Sequence, residues 1–159
     1  MKFAFLTLLT MLAALAGFSQ SMPQVDSVRL ATAADYRAAE PIALQVSDYI
    51  LSTPSDDKSL PRLNGTKFLL DWAEGTPDYS FDLDKNVIKY FEKDLDLMGV
   101  YTASLTTSAI QNKSIKDPKA ITALAVKKFI AYITNAANKV FINSKLKKLI
   151  EVNQSTAAN

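Results

Sequence analysis

The stretch DPKAITALAVKKFIAYITNA, Asp117 to Ala136, decides the fold class. Asp117 offers a carboxylate to cap a helix, and Pro118 suits the first helical position because its missing N–H would have no partner there anyway. Ile121, Leu124, Ala125, Phe129, Tyr132, Ile133 and Ala136 then recur at intervals of three and four, which puts them on one helical face. The spacing predicts an amphipathic helix that must bury that face against others of its kind.

Working outward, the same signals recur. Asp94 to Asn112 carries Leu97, Met98, Tyr101, Leu105, Ala109 and Ile110 at helical spacing. Pro61 opens a helix with Phe68, Leu69, Leu70, Trp72 and Ala73, which Gly75-Thr76-Pro77 ends in the usual stop order. Arg37 to Leu51 presents Ile42, Val46, Tyr49 and Ile50, with the helix expected to begin near Glu40 because Pro41 suits a first turn. A brief helix is predicted over Asn86 to Glu92, and Ser144 is expected to cap a last one that buries Leu146, Leu149 and Ile150. Between them Tyr79, Phe81 and Leu83 alternate with Asp78, Ser80 and Asp82, a period of two that predicts a short extended segment near 78–83. The expected fold is all-α: one small antiparallel bundle of four to five helices. No fixed-period repeat or low-complexity linker divides it.

The amino terminus reads differently. Met1 and Lys2 precede an apolar run from Phe3 to Gly17, and small residues stand at Gly17 and Ser19. This is a signal-peptide pattern over 1–19, with cleavage between Ser19 and Gln20. The run is shorter than the roughly 20 apolar residues a bilayer span requires, and no later segment is long and apolar enough. Residues 20–35 then read as a loosely ordered leader, 36–153 as the helical domain and 154–159 as a frayed end. The expectation is a periplasmic or secreted protein with no transmembrane segment in its mature part.

Composition narrows the chemistry. The chain has neither cysteine nor histidine. Disulfides are closed to it, as are the typical zinc sites and the usual base of serine and cysteine hydrolases. Lys119, Lys127, Lys128, Lys139, Lys145, Lys147 and Lys148 face only Glu151 beyond residue 118, while acids dominate Asp71 to Asp96. With 18 basic against 16 acidic residues overall, the lysine-rich half reads as a solvated face first, and as a cationic face for anionic lipid or polysaccharide second. The aromatics lie in the acidic half, away from most lysines, which argues against nucleic-acid binding.

Three constellations merit weighing. Asp78, Ser80, Asp82, Asp84 and Asn86 place oxygens at alternate positions, as calcium loops do, but no register supplies glycine at the sixth position and a carboxylate at the twelfth. No metal or other cofactor is expected. Asp71 and Glu74 lie three apart on one helix and, with Asp78, are the only acids that suggest a carboxylate-dependent hydrolase, though nothing in the pattern sets two of them across a cleft. Trp72, Tyr79 and Phe81, with Asp78 beside them, form an aromatic cluster around the Gly75-Thr76-Pro77 turn. They read as a core corner first, and as a ligand-binding platform for a lipid or glycan second.

The segment FLLDWAEGTPDYSF, Phe68 to Phe81, followed by LMGVY, Leu97 to Tyr101, resembles a group of short, uncharacterised exported bacterial proteins. The resemblance spans Tyr49 to Val152. It implies a helical exported protein of bacterial origin and supplies no activity. By elimination of catalytic constellations, the chain reads as a non-enzymatic binder of another envelope protein, with a small-molecule carrier as the alternative.

Overall fold

The computed structural model describes residues 21–157, apart from Leu83 and the side chains of Thr156 and Ala157. The signal peptide expected over 1–19, with cleavage expected between Ser19 and Gln20, lies outside the described residues. Among those residues the regular structure is all helical: α1 (Ala33–Ser52), α2 (Leu60–Gly75), α3 (Lys85–Ile88), α4 (Leu95–Gln111), α5 (Pro118–Thr134) and α6 (Ser144–Ala157), with a 3₁₀ turn at Ala136–Asn138. No helix among them is long and apolar enough to cross a membrane.

Local chemistry sets the starts. Thr32 caps α1 in a capping box with Asp35, each side chain taking the other's backbone N–H. Helix α1 therefore begins ahead of the Glu40 start expected from Pro41, and Pro41 lies inside it with its ring toward solvent. Ser59, Asp94 and Asp117 cap α2, α4 and α5. For α6 the cap is Asn143, whose side-chain oxygen accepts from Leu146 N at 3.0 Å; Ser144, expected in that role, is the first helical residue. At the carboxyl end α6 continues to Ala157, beyond the Asn153 limit read from the sequence.

Side-chain contacts give the helix directions. Arg62 near the start of α2 bonds the Ile50 carbonyl near the end of α1, and Tyr36 near the start of α1 lies against Gly75 at the end of α2. Those two helices are antiparallel. Thr66 of α2 meets Gly99 of α4, both in the amino-terminal halves, and Arg62 meets Asp96, so α2 and α4 run parallel. The chain therefore crosses the length of the bundle between Thr76 and Asp94. Phe91 anchors this crossover in the core, its ring 4.7 Å from Phe129 and 5.4 Å from Tyr101, centroid to centroid.

Helix α4 is the axis of the bundle, packed by α1, α2 and α5. It is buried almost all round from Asp96 to Ala109, Met98 alone being only partly covered. A helix without a polar face belongs at the centre of a fold. Thr102 and Ser104 return their hydroxyl hydrogens to the carbonyls four residues back, whereas the buried hydroxyls of Tyr101, Thr106, Thr107 and Ser108 have no partner among the described residues. Gly99 admits the α2–α4 crossing: a β-carbon there would stand 2.0 Å from the Thr66 hydroxyl oxygen.

The segment read as a loose leader is ordered packing. Met22, Val25, Val28 and Leu30 lie against the core along α2, and Met22 reaches Gly65. Its apolar residues follow neither a helical nor a strand period, so periodicity could not reveal the contact. Residues 78–82 belong to no helix or strand; the expected extended segment is a loop.

Candidate functional site

The Gly75-Thr76-Pro77 turn builds the first candidate site. Thr76, held extended by the proline after it (φ −66°, ψ 128°), turns the chain out of α2. Gly75 leaves room for the outer edge of the Tyr36 ring, which a β-carbon there would displace. Tyr36 in turn offers its carbonyl to the Trp72 indole N–H at 2.9 Å. The returning loop then brings Tyr79 and Phe81 back over Trp72.

The structure unites three of the four residues singled out in the sequence. Trp72, Tyr79 and Phe81 have ring centroids 5.8 to 6.2 Å apart. Their roles differ, however. Trp72 is fully buried and stands behind the other two, so it has no face for a ligand. Tyr79 and Phe81 are half-buried and form one wall of a groove of about 470 Å³. Leu70 and Ala73 of α2 and Leu105 of α4 complete its apolar lining, and Glu74, Thr76, Ser80 and Thr102 supply polar groups. Asp78 turns away, gripped by Arg37 through three hydrogen bonds of 2.9 to 3.2 Å.

A polar latch fixes this wall. The Tyr79 hydroxyl donates to Glu40 at 2.7 Å, Lys113 donates to the other Glu40 oxygen at 2.6 Å, and the Thr122 hydroxyl donates to the Asp82 carbonyl at 3.1 Å. Burial and the adjoining Glu40 carboxylate push the Tyr79 phenol up to about 12. Burial works against the Glu40 carboxylate, but the hydrogen bonds from Lys113 and Tyr79 outweigh it and leave its pKa below the usual value. The Arg37 hydrogen bonds hold Asp78 low as well. The loop between α2 and α3 is thus tied to α1 and to α5, and through Glu40 to the chain just beyond α4.

The acids weighed for hydrolysis are dispersed. Asp71 pairs with Lys67 one turn back, at 3.3 Å on an exposed face, and borders a second groove of about 690 Å³ between α2 and residues 25–30. Glu74 stands between the two grooves, and Asp78 lines neither. Among the described residues no group of three or more Asp and Glu side chains is placed to hold a metal ion.

The opposite end of the bundle holds what pattern reading missed. Arg62 and Asp96 form an ion pair at 2.6 Å with each side chain only 2% exposed. Arg62 also donates to the Ile50 carbonyl, to the carbonyl and hydroxyl of Thr53 and to the Tyr132 hydroxyl. Ser55 donates its hydroxyl to Asp96 at 2.6 Å and its amide to the Asn138 carbonyl at 2.9 Å. Burial opposes the Arg62 charge, but Asp96 more than compensates and raises its pKa. Around this network stand the three most exposed large apolar side chains among the described residues: Phe141 at 84%, Leu60 at 70% and Leu95 at 64%. The signal for Leu60 and Leu95 was their place directly after the caps Ser59 and Asp94: Leu60 is out of phase with the buried face of α2, and Leu95 precedes the buried run of α4 that starts at Asp96. Phe141 gave another, as an aromatic in a helix break.

No protein family, curated protein or solved structure matches this chain. The site must speak through its own geometry.

Proposed function

We propose that this protein is a non-catalytic binding protein, exported from the cytoplasm, that carries a small apolar molecule in the groove walled by Tyr79 and Phe81. One observation carries the reading: a groove of about 470 Å³ with an aromatic and aliphatic lining and a few polar groups. Such a site lies within the roughly 300–1,000 Å³ typical of small-ligand pockets, and its lining suits an apolar occupant with one polar end. The latch through Glu40, Lys113 and Thr122 supports it, because a wall held before the ligand arrives spares the ordering cost of binding. Export is carried by the leader pattern of residues 1–19.

Trp72 is a built-in reporter, the single tryptophan, in ring contact with both wall residues. Titration with medium-chain fatty acids and with a naphthalene sulfonate dye should shift its emission saturably. Ala73→Leu, which pushes three more carbons into the groove, should weaken the shift without unfolding the chain. A flat response to every apolar probe, or an undiminished one in Ala73→Leu, removes the carrier reading. The rival is the envelope-protein partner reached by elimination. It gains ground if mild cross-linking in the native envelope recovers one stoichiometric protein while the groove stays silent.

A further inference from the structure

We infer a second binding surface, independent of the groove: the end of the bundle that carries Leu60, Leu95 and Phe141 docks on a bilayer surface containing anionic lipid. Each of these side chains lies within three residues of one hydrogen-bonded network, since Leu60 is two from Arg62, Leu95 one from Asp96 and Phe141 three from Asn138. Three residues of chain reach at most about 11 Å, so the three belong to the same end. Their exposure is enforced by their supports. Arg62, Asp96 and Asn138 are buried, and Lys139, the one non-glycine residue with positive φ (56°) among those described, redirects the chain just before Phe141.

The charge around them selects the occupant. A lysine stands two positions before each apolar tip: Lys58 before Leu60, Lys93 before Leu95 and Lys139 before Phe141. All three are exposed, as are Lys145, Lys147 and Lys148 at the start of α6, and none of the six makes an ion pair within 4 Å among the described residues. Asp56, Asp57, Glu92 and Asp94 are the opposing charges on the loops at this end. Two of these are occupied in part: Asp56 accepts the Lys58 amide and Asp94 caps α4. Between Lys139 and Lys148 no acid intervenes. Exposed apolar tips beside long cationic side chains match the interfacial zone of a membrane. There the tips enter the acyl boundary while the lysines meet lipid phosphates, and two weak anchoring signals together hold where one does not.

The test is flotation with phosphatidylcholine vesicles, with and without phosphatidylglycerol, at low and high salt. It uses both the full chain and the chain beginning at Gln20, each first checked for cooperative unfolding. The Gln20 chain should float only with the anionic vesicles and lose binding as salt rises. Phe141→Ser combined with Leu95→Ser should reduce flotation by about tenfold. Lys145→Gln, Lys147→Gln and Lys148→Gln should each reduce it by up to about fivefold. Because these side chains are exposed, the unfolding midpoint should not move, and the Trp72 titration of the groove should be unchanged. Flotation of the full chain alone would assign membrane binding to residues 1–19 and overturn the proposal. Flotation indifferent to Phe141 and the lysines, or capture of an acidic protein by this face without any vesicle binding, would overturn it too.

Discussion

The two ends of the bundle use the same pair of residue types to opposite effect. At one end Arg62 and Asp96 lie 2.6 Å apart with 2% of each side chain exposed, and all three guanidinium nitrogens donate to α1, α4, α5 or the loop after α1. At the other, Arg37 grips Asp78 through Nε and one terminal nitrogen, 2.9 Å at the shortest, but with 56% and 40% of their side chains in water. A pair in water competes with solvent and salt and contributes little. A pair out of water leaves an uncompensated charge if either partner goes. The dry end is therefore a rigid joint between helices, whereas the Arg37–Asp78 pair at the wet end adds little to the Glu40 latch that holds the groove wall.

The largest effect expected from this contrast is at the joint. Arg62→Met should destabilise the protein by about 3–5 kcal/mol by stranding the Asp96 charge, read as a lower urea midpoint. Arg37→Met should leave that midpoint nearly unmoved. Equal losses from both would dissolve the distinction.

Next is the α2–α4 crossing that joins the two ends. Gly99→Val should cost about 1–3 kcal/mol, because the added carbons meet Thr66. The central helix should respond with the opposite sign. Thr106→Val and Thr107→Val remove buried hydroxyls that have no partner among the described residues, and should each raise stability by about 1 kcal/mol. A loss on either substitution would mean the hydroxyl is satisfied in solution.

Smallest, and confined to the latch, is the pH response. Tyr79 titrates near 12 when folded against its ordinary 10, so the folded state holds its proton more tightly. Its contribution is intact below pH 10 and is lost as pH rises from 10 toward 12. Glu40 and Asp78 are depressed, so theirs is present above the usual carboxylate range and is lost as pH falls through their lowered values. Tyr79→Phe should flatten the alkaline slope and Glu40→Gln part of the acid slope, both followed by circular dichroism. Slopes unchanged in both variants would show that the latch is open in solution.

Much of the fold was legible because it is local. Asp94, Asp117 and Pro118 act on their own helices, and the period of Ile121 to Ile133 identifies a buried face wherever the helix goes. The candidate site was legible in part. Tyr79 and Phe81 were named through a turn and a period of two, but that period came from a loop folding over Trp72, and it could not show that Trp72 would be sealed behind them. Asp78 looked like a site residue because acids surrounded it, yet its partner Arg37 stands 41 positions earlier. Arg62 gave no sign of burial. A charged residue in the first turn of a helix reads as surface until three other helices close over it.

The helical segments from Pro61 onward, the Asp117 cap, the lack of thiol and imidazole groups and the apolar leader pattern follow from the sequence by itself, since each depends on a residue and its near neighbours. Tertiary structure alone decided that α4 is the axis, that α2 and α4 run parallel, that residues 22–30 are packing, and that two arginine–aspartate pairs differ so widely. Those outcomes turn on how much water remains beside a group after the helices meet. Solvent exclusion is a property of the assembled chain, and no local pattern encodes it.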